Sequence, residues 1–556
     1  MLFFRKSLLS VVLLTVGAVC AFADSDNETE ETGKSKNSKG YLTGSFETNT
    51  ILYHEDKKTS ATVPDSHFGS NNYLKVDYYN NRFSIGLQME AYEPVLVGYP
   101  TELQKVALTN YYVSWTDDRF SVTAGTFYEQ FGSGLLFRSW EDRSLGLNNA
   151  VMGARVTYAF RDILSVKALW GLPRFGMSFS DTQVRGADLS LSLSNAIGMK
   201  AVSLALEGSV LNRYQALGTD QSLDGCKSGT TGYSARLNLE ASGFFFKGEY
   251  VDAGQKYFYN FDYAGEGQMY FKKRGNAQLI ETGYNGYGLG VSLSLRRLEW
   301  MSSKILNEST STANMINYVP ALCTQYTYAL TTLHPYSART GDLNSGFVNS
   351  GEMGGQIDIY YKINKKAKIH ANASAYETIA KEGTFRPGKL LFSDTSIDWE
   401  MKWNKKFKSI LLVSLQAYNP SYGADNVLWQ QHIVVADLLY KWTKKISTRL
   451  ELQYLNTFKN PVKAGDYYLS GDGKGDWMAA YLEVNFAPAW SIYVSDMFNH
   501  GGTKVNYYNG GVAYTKSRTR VALNYGRYKA GYICSGGVCR QIPAYTGLNL
   551  TVTTSF

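Results

Sequence analysis

Apolar and polar residues alternate with a period of two along most of the chain. At 187–194, Ala187, Leu189, Leu191 and Leu193 alternate with Asp188, Ser190, Ser192 and Ser194. At 235–240, Ala235, Leu237 and Leu239 alternate with Arg236, Asn238 and Glu240. Ile357, Ile359 and Tyr361 stand against Gln356, Asp358, Tyr360 and Lys362, and Ile397, Trp399, Met401 and Trp403 against Asp398, Glu400 and Lys402. The chain ends the same way, with Leu548, Leu550, Val552 and Phe556 on one parity and Asn549, Thr551, Thr553 and Ser555 on the other. Successive side chains of a strand point to opposite faces, so each stretch predicts a strand with one apolar and one polar face.

A soluble sandwich would alternate too, but two features favour a transmembrane barrel. No helical segment is available to cover a sheet, and the connections alternate between short and long. Tight connections fall near Asn80-Asn81-Arg82, Thr116-Asp117-Asp118, Arg161-Asp162, Asn195 to Gly198, Ser242-Gly243, Asn285-Gly286, Lys365-Lys366, Lys405-Lys406, Lys444-Lys445, Ala487-Pro488-Ala489 and Ser517-Arg518. Longer Gly/Asn/Ser-rich connections lie between them. Short periplasmic turns alternating with longer extracellular loops are the pattern of outer-membrane barrels. Those turns and two end strands predict an all-β, antiparallel transmembrane β-barrel of about 24 strands, with 22–26 as the range. Lipid offers no partner to unpaired backbone groups, so the barrel must close.

Composition fits this reading. Proline is scarce (11), whereas Gly (52), Tyr (42) and Trp (10) suit tight turns and interfacial girdles. The N-terminus adds a basic Arg5-Lys6, an apolar run from Leu8 to Ala21 and an Ala21-Phe22-Ala23 cleavage pattern. Residues 1–23 therefore read as a secretory signal peptide, 24–39 as an acidic polar segment and 40–556 as the barrel. A transmembrane anchor needs a longer apolar run, and a lipoprotein at Cys20 would follow Val19, where small residues are usual. The segment at 24–39 is too short for a plug domain. The formal charge of +8 is mild for this length and does not suggest nucleic acid.

Four places carry candidate chemistry. Glycines and charge pairs crowd Gly125–Gly146, where Glu129 faces the lumen by parity and Arg138, Glu141, Asp142 and Arg143 follow in the loop. They are candidates for a pore constriction, because Arg forks suit carboxylates on an opposite wall; the plainer reading is a solvated loop with local ion pairs. The longest connection, about Ser302 to Gly351, changes period: Leu322, Tyr326, Ala329, Leu330 and Leu333 fall at helical spacing between Pro320 and Pro335. That predicts a short helix, buried in the barrel mouth or against a partner. Cys534 and Cys539 flank a Gly-Gly turn and are expected to form a disulfide in an oxidising compartment. Cys226 and Cys323 also fall in long loops, and their pairing stays open.

Nothing else points to catalysis, a metal or a cofactor. The six histidines are scattered, and Gly471–Asp476 lacks the ligand spacing of a calcium loop. Inward-facing charges of both signs, among them Lys75, Asp77, Glu90, Lys167, Glu207, Arg236, Glu249, Asp358, Asp398 and Glu451, form no single-sign ladder, so strong ion selectivity is not expected.

The Gly125–Gly146 segment, the Pro320–Tyr336 loop and Cys534-Ser-Gly-Gly-Val-Cys539-Arg540 with Pro543 and Gly547 resemble a family of uncharacterised outer-membrane barrels of the Bacteroidota. The resemblance spans the mature chain and implies an integral outer-membrane protein; it implies no substrate. Expected partners are outer-membrane lipid and, through the C-terminal strand ending at Phe556, the barrel-assembly machinery. Two functions remain: a passive pore for polar solutes, or a non-transporting barrel that scaffolds surface lipoproteins or secretion or assembly machinery.

Overall fold

A computed structural model describes residues 40–556, except 60, 218–224, 260–269, 303–305, 308–314, 325, 340–350, 422, 424–427, 459–474 and 536–537. The expected signal peptide at 1–23, the acidic segment at 24–39 and most of the Gly471–Asp476 turn lie outside the described residues. Among the described residues, 24 antiparallel strands form one closed wall. Each strand pairs with its neighbours in sequence. The first, Tyr41–His54, also pairs with the last, Tyr545–Ser555, from Ser45 opposite Ser555 to His54 opposite Thr546. The terminal residue completes this seam: Phe556 and Gly44 exchange two backbone hydrogen bonds of 2.9 Å. Closure leaves no strand edge exposed to lipid.

The tight connections all fall at one rim, where the first strand also begins and the last ends. Ser242-Gly243 (φ 50° and 85°) and Tyr287-Gly288 (φ 53° and 81°) place two successive residues in the left-handed region, as type I′ hairpins require. The turn expected at Asn285-Gly286 is thereby corrected. Pairing continues through Asn285 opposite Gly290 and Gly286 opposite Leu289, so the chain reverses two residues later. The connection at 195–198 is a one-turn helix, Leu193–Ile197, capped by the Ser192 side chain and ended by Gly198 at φ 77°.

The outward parity carries a belt of exposed apolar side chains, including Leu87, Val113, Leu206, Leu295, Ile397 (50% exposed) and Val494 (56%). A soluble surface rarely exposes an apolar patch of more than a few hundred Å², so a continuous belt needs lipid. At the tight-turn rim this belt ends in touching rings: Trp115–Phe120, Phe244–Tyr284, Trp399–Trp403–Phe407–Tyr440–Trp442 and Trp490–Tyr514. Such a girdle suits the boundary between hydrocarbon and headgroups.

Candidate functional site

The inner wall is divided along its height. Near the tight turns, its polar side chains face open space: Lys75 is 46% exposed, and Glu240, Lys247, Lys362, Lys402 and Arg520 are exposed. Farther up the same strands the inward residues are buried, as at Ser234, Arg236, Glu249, Val251, Leu412, Ser414 and Gln416. The cover comes from the protein's own long loops.

The first covering segment follows the strand Phe120–Phe127. Gln130–Phe131 pairs with Phe137–Arg138, and Glu141–Asp142 with Leu147–Asn148. Gly132 (φ 54°), Gly134 (φ 92°) and Gly146 (φ 66°) take the left-handed positions in this tight path. Phe131 and Phe137 are fully buried, 5.2 Å apart, in a core with the inward Leu169, Val184, Leu211, Val251, Ala277 and Leu298. The wall makes room with small residues. A Cβ at Gly186 would lie 2.7 Å from the Phe131 ring, and one at Gly232 would lie 2.8 Å from Leu136. Polar contacts hold the ends. Glu129 meets Lys167 at 2.9 Å and Arg155 at 3.4 Å, Arg143 meets Glu47 at 2.7 Å, and Glu141 accepts from Gln88 at 3.1 Å.

The second segment, 315–339, lies on the first and then follows the wall. The backbone N–H of Arg138 donates to Ile316 O (2.8 Å), and that of Tyr318 to Gly134 O (2.9 Å). Beyond these, the Tyr326 hydroxyl donates to Asp398 (3.0 Å), the Tyr328 hydroxyl to Asp437 (3.4 Å) and the Leu330 N–H to Gln453 (2.9 Å). Tyr336 and the Arg339 N–H both donate to Glu352. Leu330 is fully buried among Leu412, Ile433, Val435, Leu455 and Trp477. These wall partners share the parity opposite to the lipid belt, which places both segments inside the barrel.

The helix expected over Leu322–Leu333 does not form; the described residues there are in neither helix nor strand, with a turn over Ala329–Thr332. The reason is the wall. Tyr326, Tyr328 and Leu330, spaced by two, each find a partner on the wall, and residues two apart do not share a helix face. The β-branched Thr324, Thr327, Thr331 and Thr332 also disfavour a helix.

A third loop touches the first. Gly531–Ser535 pairs with Val538–Ile542, and Cys534 is bonded to Cys539 as expected. Arg540 lies 3.8 Å over the Tyr99 ring and donates to Ser144 O (2.8 Å). Ile533 packs with Trp140, Leu145, Leu147, Met315 and Tyr318, so all three loops share one small core. Cys226 and Cys323 are not bonded to each other. Cys323 packs against Tyr376, Leu391 and Phe392; burial, helped by the nearby Asp394 carboxylate, pushes its thiol up to about 12.

The five constriction candidates all lie on the first segment but do not converge on one point. Glu129 ties it to the wall, and Arg143 bridges Glu141 and Glu47 while lying 4.3 Å over Tyr73. Arg138 stacks 3.9 Å over Tyr318, and Asp142 accepts from the N–H groups of Ser144 and Leu145. Sequence reasoning named Glu90 as inward but missed its partner. Arg174 reaches it with two hydrogen bonds of 2.7 Å, both side chains 1% exposed. Arg296–Glu352, equally buried, was missed as well. An inward charge in the long-loop half of a strand was the available signal.

The closed wall, the outward apolar belt and the aromatic girdle together define an integral β-barrel of the outer-membrane type. Residues 5–556 match a family described as "Family of unknown function (DUF6029)", and the chain belongs to that family. A comparison with curated proteins finds no match. Solved structures with a similar fold include the translocation pore of the P pilus usher PapC, at 7% identity and TM-score 0.45, covering 93% of this chain and 99% of that one. Others are the siderophore receptor PirA from Pseudomonas aeruginosa, at 9% identity and TM-score 0.42 (94% and 81% covered), and the ferric citrate transporter FecA, at 8% and 0.42 (93% and 78%).

Proposed function

We propose that this protein is an outer-membrane pore for polar solutes whose wide lumen is narrowed by its own inward loops. The division of the inner wall into a covered half and a wet, charged half carries this reading. Strands about 4.8 Å apart and tilted about 40° put the wall of a round 24-strand barrel roughly 24 Å from its axis. The short inward segments are a layer against such a lumen rather than a filling. A wet chamber of mixed charge suits polar solutes of either sign. In this reading the tight turns face the periplasm, and the bacterium belongs to the Bacteroidota, as the sequence resemblance implies. The partly exposed edges of Arg138, Glu141, Asp142 and Arg143 then border the remaining opening, with Glu129 anchoring their segment. The seam at Phe556 is what the barrel-assembly machinery would engage.

One observation favours the scaffold reading instead. The loops share apolar cores in which Phe131, Phe137 and Leu330 are fully buried, as a permanent seal would be. Swelling of liposomes carrying the purified protein separates the two. A pore admits small sugars and amino acids at rates that fall with solute size. Liposomes that never swell faster than protein-free controls would contradict the pore.

A further inference from the structure

We infer that one arc of the tight-turn rim is a binding surface for anionic phospholipid headgroups. Three consecutive tight turns of the wall are built alike. Asn364 Oδ1 accepts from Lys366 N–H (2.7 Å), Asn404 Oδ1 from Lys406 N–H (2.8 Å) and Thr443 Oγ1 from Lys445 N–H (3.1 Å). Each side-chain cap fixes a turn that carries two lysines at its tip. The six, Lys365, Lys366, Lys405, Lys406, Lys444 and Lys445, are exposed and carry no ion pair among the described residues. Glu400, on a strand that leads into this arc, is engaged by Lys368 (3.6 Å) and Lys408 (3.1 Å) on the lumen face. Other tight turns do not repeat the capped pair of lysines: Asp117 is paired with Arg82 at 3.1 Å, Ser242-Gly243 and Tyr287-Gly288 carry no charge, and Lys516-Ser517-Arg518 carries one lysine and one arginine.

A second observation sets these lysines at a particular depth. Below the second and third of these turns runs a chain of touching rings, from Trp399 through Trp403, Phe407 and Tyr440 to Trp442. Trp403 (48% exposed) and Trp442 (58%) face outward and donate their indole N–H to Ser409 and Thr448, each at 2.9 Å. Trp rings settle at the boundary between hydrocarbon and headgroups. Ammonium groups one turn beyond them stand at phosphate level, where flexible stems can reach the lipid. Clustered lysines at that level favour net-negative lipids over zwitterionic ones, because each adds Coulomb attraction to a charged surface. Neighbouring turns stand two strand widths apart, roughly 12 Å along the rim once the strand tilt is included, so one arc can hold several headgroups at once.

The test is native mass spectrometry of the full-length protein in detergent, titrated with phosphatidylglycerol and with phosphatidylcholine. The wild type should retain phosphatidylglycerol several-fold better, and high salt should weaken that preference. Changing all six tip lysines to Gln should bring the two lipids level. Arg82→Gln, Arg161→Gln and Arg518→Gln together, on the rest of the rim, should leave the preference in place. Heat-modifiable migration on gels checks that each variant still folds as a barrel. Equal retention of both lipids by the wild type, an unchanged preference in the six-lysine variant, or an equal loss in the control variant would each overturn the inference.

Discussion

At the residue scale, side-chain parity decides whether a substitution meets lipid or water. Leu295 is 44% exposed on the outer face, and Ser294, its neighbour, faces the lumen. Leu295→Arg should cost about 2–4 kcal/mol near the midplane and Ser294→Arg much less; urea titrations of the barrel in vesicles would measure both, and equal losses would contradict the register. The two unpaired cysteines give a second check. The thiolate is the nucleophile, and burial holds the Cys323 thiol up to about 12. At pH 8, iodoacetamide should modify Cys226 well before Cys323. The Cys323 rate should rise about tenfold per pH unit up to its pKa, and unfolding should erase the difference. Equal rates in the folded protein would contradict the packing of Cys323 under its loop. Parity was legible in the sequence because a period of two is a local property. The partners of Glu90 and Glu352 were not, because Arg174 and Arg296 meet them only after the wall has curved and closed.

At the element scale, the wall was more legible than the loops. Turn residues and alternation mark hairpins within a few residues, and only the Asn285-Gly286 turn slipped by two. The Leu322–Leu333 stretch shows why loops are harder: its apolar spacing suits a helix, but its fold follows the carboxylates and apolar patches of a wall that the local sequence does not contain. The Gly125–Gly146 segment was recognisable from its glycines, although not its seat on Gly186 and Gly232, which requires the opposite strands. That seat can be tested. Gly186→Leu fills the space that Phe131 occupies, and excluding a buried Phe forfeits about 3–5 kcal/mol of local packing. Amide exchange at residues 130–137 should accelerate strongly while the barrel keeps its heat-modifiable migration. Unchanged exchange would show that Phe131 does not hold the segment.

At the scale of the whole molecule, three loops from distant parts of the chain meet at the long-loop end of one closed wall: 128–150, 315–339 and the disulfide-closed 531–542. Closing the wall removes its edges and leaves a lumen too wide to stay selective unfilled; the loops supply the missing cover from the long-loop side. The 315–339 segment follows the wall from Glu352 to Trp477 while touching the first segment at Gly134 and Arg138. Its removal should therefore open the lumen without disturbing the strand pairing. The measurement that tests this most directly is single-channel conductance in planar bilayers, comparing the full-length protein with a variant lacking residues 308–345. The account predicts small, discrete openings for the full-length protein and a several-fold larger conductance for the deletion, with both proteins migrating as folded barrels. A full-length protein that never conducts, together with a folded deletion variant that conducts no better, would contradict it.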